Sequence, residues 1–455
     1  MDHWDDKHFL KYLKNPSHHQ SSKQAIHFIG LQRWNSSSPA QGRSLGGGYL
    51  IYHNDDKGCV DLGIAIDPGF DFIRNLFHAG FSLADIDVVL ISHAHLDHVR
   101  DFESIITLLL ELQSRVKKRN GENNQRKIHV ILTLGGYRRL EYIFESFTLH
   151  RFVEPYIIDV EKEIDDNFLE SLKTKPFKFI RGVPIEEPKE EGNWKNPRLR
   201  FEPDLGISET DSNNQLRLTI TPTKSYHDDY TEYSDSFGFL IKISDKNLVH
   251  TLGYTGDTSW DSDVMKQYKD CDTLLVHLGS IIDRKDKEKR RFSYYENSEI
   301  CFDLIRGKNH PYLMGMLHFL TEIYGNAEPK TKPLILLSEF GEELRGRLRL
   351  DLVDKLKHVY NNKRILPVDV GLDVILAKKA TENDKNGDAK QKECPNVLCV
   401  QCEEFVRPED ADFAYYGYDE ALFCVCRTCL KSTSPDILQT RLRLLYEEGR
   451  PLQTY

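Results

Sequence analysis

An α/β fold is predicted for this chain of 455 residues from three observations. Between residues 25 and 377, apolar runs of strand type alternate with segments of helical periodicity. The run Ile86 to Ile91 closes directly on Ser92-His93-Ala94-His95-Leu96-Asp97-His98, a segment dense in side chains that bind cations. Two Cys-x-x-Cys pairs then stand beyond residue 393. The expected organisation is an amino-terminal extension at 1–24, a large α/β domain at 25–377, a linker at 378–393 and a cysteine module at 394–455.

The elements follow in order. Ala25 to Gly30 and Gly48 to Tyr52 are β-branched or aromatic runs and read as strands, as do Gly63 to Ile66 and the run into Ile91. Phe102 to Leu112 has helical spacing, Lys127 to Leu134 reads as a strand, and Tyr137 to Phe147 as a helix. Strands are expected at Leu218 to Thr221, Phe237 to Ile243, Leu248 to Leu252 and Pro333 to Ser338. A helix follows at Glu343 to Tyr360, then the closing segments Arg364 to Asp369 and Leu372 to Leu376. Residues 378–393 are rich in Lys, Asp, Glu and Asn without apolar periodicity, which is the composition of a flexible linker.

The histidine-rich turn carries the chemistry. Three imidazoles and a carboxylate within six residues are costly to bury unless a cation engages them. In a turn leaving a strand, His93 and His95 point to one side and Asp97 and His98 reach a point a few ångströms away, which suits two adjacent metals. At the other end of the chain, Cys399, Cys402, Cys426 and Cys429 have the spacing that lets four thiolates close a tetrahedral zinc site. So short a segment needs that staple to fold. The second pair leads into a helical stretch, Ile437 to Glu448, so a zinc-ribbon or treble-clef-like module is expected, with Cys394 and Cys424 as substitute ligands.

The motif His93-x-His95-x-Asp97-His98 after a strand resembles the signature of the metallo-β-lactamase superfamily. The resemblance implies an αββα sandwich. It also implies that Asp67, in Ile66-Asp67-Pro68-Gly69, orients ligands without binding metal. His227 would complete the first site, with Asp228 and Asp229 as neighbouring substitutes, and Asp257, in Gly256-Asp257-Thr258, would bridge both metals. Within the superfamily the order of strand ends is similar to the ribonuclease Z branch. There a late strand ends in Thr-His-Phe-Ser, whereas this chain has Leu337-Ser338-Glu339-Phe340, so Glu339 takes the histidine's place, with His310 and His277 as rivals. The same branch implies catalytic roles near His277 and His318. The glutamate that should follow His277 is replaced by Leu278, and His318 also lies on the apolar face Leu313, Leu317, Leu320.

The implied activity is hydrolysis by an activated water between two zinc ions, with manganese or iron as alternatives and a third, structural zinc in the cysteine module. Asp97 would orient the water and accept its proton, and His318 would protonate the leaving oxygen. A phosphodiesterase or nuclease acting on RNA, DNA or a nucleotide is the leading expectation. A lactone, ester or thioester hydrolase of the same fold is one alternative, and a zinc-bound scaffold is another.

Composition narrows the classes further. A net charge of −10 argues against a broad, sequence-independent nucleic-acid surface, though not against a local basic groove. Lys289, Arg290 and Arg291, in the charge run 283–291, are the candidate contacts to a substrate phosphate. The interval from Glu154 to Asn214 is more acidic than basic and reads as a solvated excursion, unlike the basic transfer-RNA-gripping arm of the resembled branch. No apolar stretch reaches a membrane span and Met1-Asp2-His3-Trp4-Asp5-Asp6 is acidic, so a cytoplasmic, membrane-free enzyme is expected. Its nine cysteines would then stay reduced and serve as metal ligands, and the cysteine module is a candidate surface for a protein partner.

Overall fold

The apolar runs pair as strands in two large sheets in the computed structural model, which describes residues 23–32, 47–120, 128–146, 149, 152–158, 178–180, 216–228, 235–245, 248–258, 266–279, 332–340, 347–359, 361–378, 394–417 and 421–448. The first described elements are β1 (Ala25–Gly30), β2 (Tyr49–Asn54), β3 (Val60–Ile66) and β4 (Val88–Ile91), with helix α1 (Phe72–His78) between β3 and β4. Helices α2 (Leu96–Val99) and α3 (Phe102–Asn120) lead to β5 (Ile128–Thr133), and α4 (Leu134–Phe144) leads to β6 (Val153–Ile158) and β7 (Lys178–Ile180). The second sheet takes β8 (Arg217–Asp228), β9 (Asp235–Asp245), β10 (Leu248–Tyr254), β11 (Thr273–Gly279), β12 (Leu334–Phe340) and, after helix α5 (Arg347–Val359), β13 (Ile365–Pro367). The chain then returns to the first sheet as β14 (Asp373–Lys378), β15 (Asn396–Leu398) and β16 (Phe405–Val406). It ends in a hairpin, β17 (Ala411–Tyr416) and β18 (Ala421–Cys426), and two helices, α6 (Arg427–Ser432) and α7 (Pro435–Glu447).

Side-chain alternation explains the layering. Ile64 and Ile66, or Val88 and Leu90, point into the space between the sheets, while Ala65, Val89 and Ile91 point outward. The inner layer joins Phe28, Ile51 and Leu90 of the ten-stranded sheet to Leu218, Phe239, Leu275 and Leu336 of the six-stranded one. The outer layer is covered by α1, α3 and α4, whose Leu76, Phe102, Ile106, Leu109, Tyr137 and Leu140 recur at helical spacing. Helix α5 lies against β13 on the far side. Each large side chain removed from water in these layers contributes about 1.5–3 kcal/mol. The αββα sandwich that the motif implied is the layering observed.

Some boundaries differ from the sequence expectation, for local reasons. Helix α4 starts at Leu134 and not Tyr137, because the Thr133 hydroxyl accepts the Gly136 amide at 2.8 Å and caps a turn that two glycines had disguised. Helix α3 runs to Asn120, eight residues beyond the expected end at Leu112. The described residues of 394–448 do not stand off from the large domain. Strand β15 pairs with β14 (Val374 opposite Val397), and Phe413, Leu422 and Cys424 join the inner core. Asp369, fully buried, accepts from Arg349 at 3.1 Å and from the Leu422 amide at 3.0 Å, which is how an interior carboxylate at this junction is tolerated. Among the described residues no helix is long and apolar enough to cross a membrane.

Candidate metal centre

Parallel strands are what gather the site. Strands β3, β4 and β5 run parallel in one sheet, and β10 to β13 in the other. Asp67, His93, Asp257, His277 and Glu339 all lie at or just beyond carboxyl ends of these strands, the usual location of sites in such sheets. His95 precedes α2, Asp97 and His98 lie within it, and His227 comes from β8. The second half of the histidine motif is therefore a helical turn, which sends His98 inward and leaves Asp97 partly exposed.

One ligand atom from each of His93, His95, His227 and Asp257 falls within a sphere where all lie within 4.8 Å of one another. His227 Nε2 is 3.2 Å from His95 Nδ1. Asp257 Oδ2 lies 3.8 Å from His93 Nε2, 3.9 Å from His227 Nε2 and 3.5 Å from His98 Nε2. Asp97 Oδ2 is 3.7 Å from the same His98 nitrogen. Asp257 thus stands between two donor groups, the first built on three imidazoles and the second on His98 and Asp97.

Asp67 sets the orientation of two of these rings. Its Oδ1 accepts the Ser92 amide at 2.7 Å, and its Oδ2 accepts the Ser92 hydroxyl at 2.6 Å, the Tyr254 hydroxyl at 2.5 Å and His98 Nδ1 at 2.9 Å. A carboxylate only accepts, so His98 carries a proton on Nδ1. The Ser92 hydroxyl, having donated to Asp67, is left to accept from His93 Nδ1 at 3.0 Å. Both rings therefore turn Nε2 towards Asp257. These two Nε2 atoms are buried and have no hydrogen-bond partner among the described residues. Orphaned imidazole nitrogens aimed at a carboxylate are what a divalent cation satisfies, so the residues fit the metal that the motif implies.

The electrostatics agree with this fit. Burial, reinforced by His98, holds His93 well below the ordinary histidine value, and burial with His227 pulls His95 down to about 4, so both are neutral, the form that binds metal. Burial raises the Asp257 carboxyl, but His98 and His277 pull it further the other way, well below the carboxylate range. His98 is the reverse: burial lowers it, and Asp97, Asp257 and Asp67 together raise it well above its usual value. Without a cation, its proton offsets the surrounding carboxylates.

Glu339 sits at the end of β12 with φ +52°, a left-handed backbone that a glutamate rarely adopts, and buried Gln32 donates to its Oε1. Burial pushes its carboxyl up to about 7 despite His277. Asp257 and Asp97 push it the same way, and His98 opposes them. His277 is also at the centre, but both its nitrogens are occupied: Nδ1 is 2.7 Å from Asp257 Oδ1 and Nε2 is 2.8 Å from the Tyr49 hydroxyl. His318, His310, Lys289, Arg290 and Arg291 lie outside the described residues. Tyr49, Tyr254 and Gln32 carry no motif, and sequence reading gave them no role.

Two glycines make the centre possible. Gly256 has φ +57° in the turn that delivers Asp257, and a side chain there would crowd Phe237 O and Ser92. A Cβ on Gly69 would fall 1.7 Å from the backbone oxygen of Asp97. Gly69→Ala is therefore expected to push the α2 turn outward and weaken zinc binding by about 10–100-fold, as loss of a supporting contact does. Competition against a chromophoric chelator would measure it, and unchanged affinity would show that the turn does not depend on this contact.

In the second cluster, the Sγ atoms of Cys399, Cys402, Cys426 and Cys429 lie within 4.8 Å of one another. The Cys426 amide donates to Cys399 Sγ at 3.1 Å and the Cys429 amide to Cys426 Sγ at 3.4 Å. Burial raises the Cys399 thiol, but the amides of Cys402 and Cys426 outweigh it and leave it below the ordinary value. The order is one cysteine pair, a hairpin, and a second pair opening a helix. Cys424 points into the inner core and Cys394 lies near Asn396, so neither belongs to the four.

Comparison with known proteins bears on residues 63–179, which match the Beta-lactamase superfamily domain. No curated protein matches the chain in sequence. Among solved structures, the metallo-beta-lactamase fold protein YhfI from Bacillus subtilis is 14% identical, covering 76% of this chain and 98% of its own, with a TM-score of 0.43. The short form of human tRNase Z is 12% identical, covering 78% and 99%, with a TM-score of 0.38. A diphosphatase from the PhnP family is 11% identical, covering 78% and 100%, with a TM-score of 0.40. The layering and the strand-end site are those of a metallo-β-lactamase fold, residues 63–179 match the β-lactamase superfamily domain, and a four-cysteine cluster stands at the carboxyl-terminal side.

Proposed function

We propose that this protein is a binuclear metal-dependent phosphodiesterase or nuclease acting on RNA, DNA or a nucleotide. The observation that carries the reading is the place of Asp257 Oδ2, within 3.9 Å of imidazole nitrogens from both donor groups. One oxygen facing both sides is what a shared ligand requires. When bound, two divalent cations bring a water towards ionisation near neutral pH and offset the charge that builds on a phosphoryl group. His93, His95 and His227 hold the first cation, and His98, Asp97 and Glu339 hold the second, with Asp257 common to both. The second set is richer in carboxylate, so zinc suits the first position, and the second also admits a harder ion such as manganese.

Asp97 is the ligand carboxylate turned partly to solvent, and it orients the attacking water and takes its proton. His318 protonates the leaving oxygen, and Lys289, Arg290 and Arg291 meet the substrate's phosphate. The test is turnover of bis(p-nitrophenyl) phosphate by the purified chain with Zn²⁺ or Mn²⁺, beside Asp97→Ala, with metal content determined on each. We expect wild-type turnover and a loss of at least about 10²-fold in the variant. A metallated chain that opened lactones and spared the diester would replace phosphodiesters with carboxylic esters. A chain inert to both would be a scaffold.

A further inference from the structure

His277 stands where the resembled branch pairs a histidine with a glutamate, yet the next residue is Leu278, fully buried. The partner comes from the opposite sheet. Tyr49, on β2 and without exposed surface, places its hydroxyl 2.8 Å from His277 Nε2 and 2.7 Å from Ser338 Oγ. Ser338 is opposite His277 in the β11–β12 register, so the hydroxyl spans two neighbouring strands from across the sandwich. On its other side, His277 Nδ1 is 2.7 Å from Asp257 Oδ1, and since that carboxylate accepts, the proton belongs to the ring. The Tyr254 ring stands edge-on to the imidazole at 5.1 Å and closes that side with hydrocarbon.

We propose that Tyr49 and His277 form a positioning pair that pins Asp257 Oδ1 and so leaves Oδ2 alone to face the two cations. His277 is then neither a ligand nor the proton donor, because both ring nitrogens are held in buried hydrogen bonds. This assignment rests on the binuclear reading above. It also leaves Glu339, and not His277, as the donor that β11 and β12 supply to the second cation. Asp257 with a free Oδ1 could rotate or bind one cation through both oxygens, and the shared geometry would be lost. Outer partners of this kind change metal affinity or activity by about 10–100-fold when removed.

The test uses the full chain and three variants, Tyr49→Phe, His277→Gln and His277→Leu, each checked for folding by circular dichroism. Zn²⁺ affinity is read by competition with a chromophoric chelator, without substrate. Tyr49→Phe and His277→Leu should each weaken the more loosely held zinc by about 10-fold or more. His277→Gln should stay within a few-fold of wild type, because its amide can still donate to Asp257. Unchanged affinity in Tyr49→Phe would overturn the pairing. So would a His277→Gln chain that bound both ions normally but lost turnover selectively on diesters with poor leaving groups, the mark of a proton donor. Should Tyr49→Phe not fold, His277→Leu carries the test, and unchanged affinity there would overturn the pair. Weakened zinc in a chain that hydrolyses no diester would support the pair and remove the phosphodiesterase reading, so the two failures are distinguishable.

Discussion

Asp257→Ala is expected to abolish turnover of bis(p-nitrophenyl) phosphate, by at least about 10³-fold or roughly 4 kcal/mol of barrier. Among the described residues it is the carboxylate whose oxygen faces imidazole nitrogens from both donor groups, so its removal weakens both cation positions at once. It also leaves His277 Nδ1 without its acceptor and His98 without the closest of the oxygens around its Nε2. The other site variants act on one position only: Asp97→Ala spares the three-imidazole group. The measurement is zinc per chain by elemental analysis beside turnover, with a chain that contains alanine at 257 expected to hold at most one loosely bound ion. Two tightly held zinc ions, or a rate within about tenfold of wild type, would remove Asp257 from the bridging position.

The second large effect lies at the four-cysteine cluster. Cys426→Ser is expected to lose one zinc per chain and to unfold residues 394–448. The buried cluster there is small, made of Val400, Ala414, Ala421, Phe423, Val425, Leu438 and Leu442 beside Cys399 and Cys426. A core of that size does not hold a chain alone, whereas structural zinc contributes on the order of 10–16 kcal/mol in comparable modules. The damage should spread, because Phe413 and Leu422 are part of the core between the large sheets. Cys424→Ala is the control: its thiol is buried but lies outside the four, so zinc should remain while packing suffers. Zinc release into a metallochromic dye and limited proteolysis would report both. A Cys426→Ser chain that kept its zinc and resisted protease would show that the four sulfurs do not form the site.

The parts of this molecule written in short spacings were legible. His93, His95, Asp97 and His98 lie within six residues, and each cysteine pair within four, so local order alone places the members of each group together. Asp257 and His227 were reachable only through a resemblance, since nothing local ties position 227 to position 95. The contacts that orient the metal ligands were not legible at all. Tyr49 reaches His277 across 228 positions and Tyr254 reaches Asp67 across 187, both from strands that read as ordinary core. A buried tyrosine in a strand has the same sequence signature whether its hydroxyl meets a ligand or nothing. Gln32 lies two residues past the end of β1, and its bond to Glu339 spans 307 positions. The docking of the cysteine module was hidden for another reason: β15 and β16 are three and two residues long, too short to show any period.

Those two short strands have a further consequence. Strand β14 reads Asp373-Val374-Ile375-Leu376-Ala377-Lys378, a flat apolar ribbon already bonded to β1 on one side. Left bare on the other, its amides and carbonyls would be a template for another chain, the hazard of any long exposed edge. β15 covers that flank and hands it on to β16, which offers a stranger two residues and no grip. The short strands on either side of Cys399 and Cys402 thereby leave little of that sheet edge open to a second copy of the chain.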